Sequence, residues 1–162
     1  MKKIGDVKQG DTLYMERKYI LTDETKVIDG HTLHRIKAIR DFGAVCKDEL
    51  GGFIETENNL SHEGNAWVYG NAGVYGNAMV FDDVMVYGNA EVYGNAEVHG
   101  NAEVHGNARV YDNAWVSGNA WVGGNAKVYD NAMVYDNAWV SGNVEIHGNA
   151  MVYGTTEVFW QL

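Results

Sequence analysis

The chain has 162 residues, 46% of them hydrophobic, a net charge of −10, one cysteine and no proline. That length suits one compact unit, and the apolar content excludes a disordered chain. A surface this acidic repels phosphate backbones, which excludes DNA and RNA as partners, and the single Cys46 excludes an intramolecular disulfide.

The opening MKKIGDVKQGDT has no apolar stretch of the kind that makes a signal peptide or a membrane span, so a cytoplasmic location is expected. KYILT (18–22) and TLHRIKAI (32–39) read as strands, with DETKVIDG between them supplying acidic residues and an Asp29-Gly30 turn. The following IRDFGAVCKDELGGFIETENNLSHEG is Gly-rich and partly apolar, and reads as an irregular first coil. Residues 1–63 are therefore expected to form a small β-rich cap and that first coil. They carry twelve acidic against ten basic residues.

From residue 64 to residue 159 a six-residue phrase recurs sixteen times without insertion or deletion, from GNAWVY to GTTEVF. Its fifth residue is Val fifteen times and Ile once (Ile146), and its third is Ala, Val or Thr, so positions three and five share a period-2 face. Positions one and two are Gly or Asp followed by Asn, except at Asp83 and Thr155, and these residues close tight turns. Each phrase is thus one short strand and one corner. Coils stacked about 4.8 Å apart pair every backbone amide and align identical side chains. The architecture expected is all-β, with a tail at residues 160–162.

A large aliphatic residue followed four positions later by a small one, as in Val68 to Ala72, resembles the phrase of the hexapeptide-repeat family. That resemblance implies a left-handed parallel β-helix with three hexads, eighteen residues, per triangular coil, so that sixteen hexads make about five coils. The hand comes from the resemblance alone. The leading segment looks like that of YdcK-like members found in bacterial and prophage genomes, which are usually called transferases by analogy of fold.

Sorting the outward positions by eighteen gives three faces. The first carries Trp67, Met85, Glu103, Trp121, Trp139 and Glu157; the third carries Met79, Glu97, Trp115, Met133 and Met151. Their Trp and Met residues make an apolar surface larger than a soluble monomer normally shows. The expected cover is a homotrimer with Trp67, Met79, Met85, Trp115, Trp121, Met133, Trp139 and Met151 at its interface, as the resemblance implies. The rival cover is the N-terminal cap folded back over one face. The second face, with Glu91, Arg109, Lys127 and Glu145 beside a tyrosine column, is the one expected to stay solvated.

Two clusters are candidates for chemistry. Glu97, His99, Glu103 and His105 interrupt both apolar faces at one height, and a His oriented by a carboxylate can act as a general base. Family acyltransferases use such a base but hold it on an extruded loop, and none occurs here. Zinc is not expected, since His99, His105 and His147 do not converge within a subunit, and no other cofactor is. Arg109 and Lys127, the repeat's only cations, sit with Tyr93, Tyr111 and Tyr129 where a base could stack and a phosphate be neutralised; the simpler account is a charge and aromatic ladder. The function expected is a non-catalytic trimer that binds or sequesters a small molecule, such as a nucleotide signal in a phage setting, or a partner. Alternatives are an acyltransferase using His99 or His105, and a self-assembling scaffold.

Overall fold

The computed structural model describes residues 16–160. The opening stretch, read as lacking a signal peptide, and the last two residues of the tail lie outside the described residues. Among those described, no helix is long and apolar enough to cross a membrane.

The described residues begin with an antiparallel hairpin of β1 (Tyr19–Ile28) and β2 (His31–Ala38). Its turn is Asp29-Gly30, with φ of 49° and 83°, the paired left-handed conformations that match a two-residue hairpin. The first strand is longer than the KYILT expected, because Thr25–Ile28 resume pairing after an irregularity that absorbs Asp23 and Glu24. Thr22 Oγ1 holds that irregularity, accepting from the Glu24 amide at 3.3 Å and donating to the Arg35 carbonyl at 2.8 Å.

From β3 (Leu50–Ile54) onward the chain winds as a parallel β-solenoid. The second face is a sheet of the hairpin followed by β3, β5 (Gly73–Val74), β8 (Glu91–Val92), β11 (Arg109–Val110), β14 (Lys127–Val128) and β17 (Glu145–Ile146). The first face stacks β4 (Trp67–Val68), β7 (Met85–Val86), β10 (Glu103–Val104), β13 (Trp121–Val122), β16 (Trp139–Gly142) and β19 (Glu157–Trp160). The third stacks β6 (Met79–Val80), β9 (Glu97–Val98), β12 (Trp115–Val116), β15 (Met133–Val134) and β18 (Met151–Val152), with a Leu60–Val80 bridge above them. The result is six turns. From β4 onward partners are eighteen residues apart, as in Arg109 with Lys127, so the eighteen-residue columns are real columns; the entry coil is longer, with Phe53 opposite Gly73 and Leu60 opposite Val80, twenty residues apart.

The interior is a file of Ala and Val, fully buried from Ala66 to Val134 with Val80 only 1% exposed. Each buried Val contributes roughly 1.5–3 kcal/mol. The corners are held by side-chain ladders: Asn77 donates to Asn95 at 3.1 Å, Asn95 to Asn113 at 3.2 Å, and Asn119 to Asn137 at 3.1 Å. Asp82, Asp112, Asp130 and Asp136 take the Gly position with φ of 56–62°. Asp82 Oδ2 accepts from the Gly100 amide and Asp130 Oδ2 from the Gly148 amide, both at 2.9 Å. An Asp at a corner therefore stitches its coil to the next.

The first coil would leave its carbonyls without donors, and the N-terminal residues supply them. Lys18 Nζ donates to the carbonyls of Gly64 (3.2 Å) and Ala66 (2.8 Å), the Tyr19 hydroxyl to that of Leu60 (2.6 Å), and Asn59 Nδ2 to those of Gly76 (3.1 Å) and Ala78 (2.9 Å). Phe42 and Val45, bridged to one another, are buried among the core residues of this end.

Candidate functional site

The first and third faces present the expected Trp and Met columns, with one correction. Trp67 is completely buried inside the chain, with Phe42 edge-on at 5.2 Å and Tyr19 at 6.1 Å, so it has no surface left for a partner. The described part of the N-terminal segment covers this face at its top. Below it Met85 is 36% exposed and Trp139 45%, and on the third face Met79 is 40%, Trp115 41% and Met151 58% exposed. Trp121 and Met133 are half-buried.

The coil of Glu97, His99, Glu103 and His105 does not assemble the expected dyads. Glu103 is bound by the Tyr87 hydroxyl at 3.3 Å and by the Trp121 indole N–H, not by a histidine. His105 stacks on Tyr87 at 5.0 Å and meets the edge of Trp121 at 5.0 Å, and its Nε2 is buried without a partner. Burial lowers its pKa, with Glu103 pulling the other way. His99 lies flat against Phe81 at 5.0 Å on the other face. Both rings pack against aromatic neighbours of their own chain. Among the described residues no three His, Cys, Asp or Glu side chains come together to hold a metal.

His105 occupies the gap left by Gly123, where a Cβ would collide with the imidazole. Gly123→Ala should therefore expel the ring from its stack and cost about 1–2 kcal/mol in urea unfolding. In a His105→Ala background the same change should cost little, a coupling that a double-mutant cycle measures.

The second face is a ladder. Tyr75, Tyr93, Tyr111 and Tyr129 stack within 5° of parallel at 4.9–5.0 Å, and His147 continues the column at 5.3 Å. A stacked base needs about 3.5 Å on each side of its plane, so none fits between these rings. Arg109 pairs with Glu91 at 3.5 Å and Lys127 with Glu145 at 3.8 Å. The geometry therefore favours the ladder over a nucleotide site at Tyr93, Arg109, Tyr111, Lys127 and Tyr129. The top of this face is also covered rather than solvated: Tyr75 is buried with Leu33 and Phe53 under the hairpin.

An open cleft of about 690 Å³ lies where the hairpin turn meets the corner between second and third faces, lined by His31, Glu55, Thr56, Asn58, Gly76, Asn77 and Met79. His31 Nδ1 is 2.9 Å from Glu55 Oε2, and the other carboxylate oxygen accepts from the Gly76 amide at 2.9 Å. Burial works to raise the Glu55 pKa, but the hydrogen bonds from His31 and Gly76 outweigh it and hold the carboxyl below its usual range. Buried Asn59 fixes this segment, its Oδ1 accepting from the amides of Glu55 (3.1 Å) and Thr56 (2.8 Å). The carboxylate-oriented histidine sought at residues 97–105 thus occurs here instead. No sequence pattern flags it, since His31 and Glu55 lie outside the repeat; the one cue is a His directly after the Asp-Gly turn.

Residues 108–124 and 126–142 each match the family model described as the YdcK beta solenoid repeat. A search of the curated proteins found no match. The two matched segments begin eighteen residues apart, one coil of the solenoid, and the same coil continues above and below them. The chain is a β-solenoid repeat protein that over these two coils is similar to the YdcK beta solenoid family.

Proposed function

We propose that the chain is a non-catalytic binding protein that works as a homotrimer, with the first face of one copy set against the third face of the next. The observation that carries this reading is the exposure of Trp115, Trp139, Met79, Met85 and Met151 along two adjoining faces of one rod. Apolar surface of this kind is what an interface core uses, and three head-to-tail contacts close a ring without leaving an unpaired patch. The absence of hydrogen-bonded His–Glu pairs in the 97–105 coil weighs against the acyltransferase alternative. A reducing, cytoplasmic setting suits a chain whose single cysteine is exposed.

Trp115→Glu with Trp139→Glu should shift the mass in size-exclusion chromatography with light scattering from three times 17.9 kDa to one. The β-sheet circular dichroism should not change, because both side chains point outward. A glutamate introduced on the second face instead, Arg109→Glu, should leave the trimer intact. A mass that ignores the Trp pair but responds to Arg109 would place the contact on the wrong faces.

A further inference from the structure

We infer that the cleft beneath the hairpin turn is a binding site for a small amine carrying an apolar arm. Three of the groups that line it, on Glu55, His31 and Asn77, offer acceptors. Glu55 is an ionised carboxylate whose bonds to His31 and Gly76 use one lone pair on each oxygen. Because that carboxylate only accepts, the Nδ1 of His31 carries the proton of their bond, and in the tautomer with that proton alone Nε2 is a further acceptor. Asn77 is the first rung of its ladder: its amide donates to Asn95, and among the described residues no rung above it donates to its Oδ1.

Among the described residues no lysine or arginine lines the cleft, and the chain as a whole carries −10. A phosphate or carboxylate would find no cation there other than a protonated His31, whose charge Glu55 already balances. An ammonium finds the carboxylate and the two open acceptors. Met79, 40% exposed, gives the apolar arm a soft surface to lie on. The site is also pre-formed, because Asn59 is fully buried and locks the Glu55–Thr56 backbone to the corner at Gly76 and Ala78. Its polar groups all come from one protomer, while Met79 also lies on the face proposed above as the trimer contact.

The test is an amide NMR titration of the full chain with phenethylamine, phenylacetate and phenyl phosphate, probes that share the ring and differ in the head group. The amine should move the Gly76 and Asn77 signals and saturate. Glu55→Gln, which keeps the oxygen acceptor but removes the charge, should weaken it at least tenfold. His31→Ala, on the exposed hairpin turn, should weaken it as well and serves should the Gln variant fold poorly. Perturbation of these signals by phenyl phosphate and not by the amine would overturn the inference, as would amine binding that is indifferent to both substitutions, or no saturable shift with any probe.

Discussion

Gly100→Val should lower the unfolding free energy by about 3 kcal/mol, and Gly100→Asp by less than about 1 kcal/mol. Gly100 turns a corner with φ of +74°, and a Cβ there would stand 2.9 Å from the Gly118 amide nitrogen and carbonyl oxygen in the coil below. A β-branched residue meets both penalties, left-handed strain of about 1–3 kcal/mol and a forced separation of coils. Asp meets the same geometry and recovers much of it, because its carboxylate reaches the amide eighteen residues on. Asp82, directly above Gly100 in the same corner column, does this at 2.9 Å, and Asp136, two coils below Gly100, at 3.0 Å. In a thermal melt the Val variant should fall by roughly 6–12 °C and the Asp variant by no more than about 4 °C. Equal losses would mean that the corner Asp residues merely tolerate the turn and do not bind the next coil.

Lys18→Met should remove a pH dependence as well as stability. The Lys18 ammonium is fully buried, and burial together with Arg40 brings its pKa down from 10.5 to about 8, with Asp83 acting in the opposite direction. The sign follows from proton counts: above pH 8 the folded chain has released this proton while the unfolded chain still holds it, so stability rises with pH until the unfolded lysine also titrates. Between pH 8 and 9.5 that gain is about 2 kcal/mol. Above it, Tyr19 and Tyr75, whose burial raises their pKa, oppose further gain because they ionise first in the unfolded chain. At pH 7 the Met variant orphans the Gly64 and Ala66 carbonyls but also removes a desolvated charge, for a net loss of about 1–2 kcal/mol. Urea unfolding should show the gap between wild type and variant widening by about 2 kcal/mol from pH 7 to 9.5. An unchanged gap would mean that burial does not lower the Lys18 pKa and that the folded chain keeps this proton across the range.

The solenoid was legible because one phrase states both periods at once, the alternation of Ala and Val that fills the interior and the Gly-Asn corner that returns every six residues. Nearest neighbours in such a stack are eighteen residues apart, so columns such as Tyr75 to Tyr129 follow from arithmetic. The coil spacing of about 4.8 Å carries through to the rings, and the 4.9 Å between them leaves the tyrosine faces no room for a base. Trp67 and Tyr75 occupy outward positions of the phrase and yet are buried, because residues 19–53 pack on them through contacts that no repeat encodes. His31 and Glu55 were invisible for the same reason: their meeting depends on where an irregular hairpin settles. His99 and His105 stood out in the sequence by their polarity among Trp and Met, whereas in space they continue aromatic stacks.

Sedimentation velocity of the intact chain at micromolar concentration tests the central claim most directly. A single species at three times 17.9 kDa is the expected result, and a monomer at 17.9 kDa over the same range would contradict the assignment of the first and third faces as an interface.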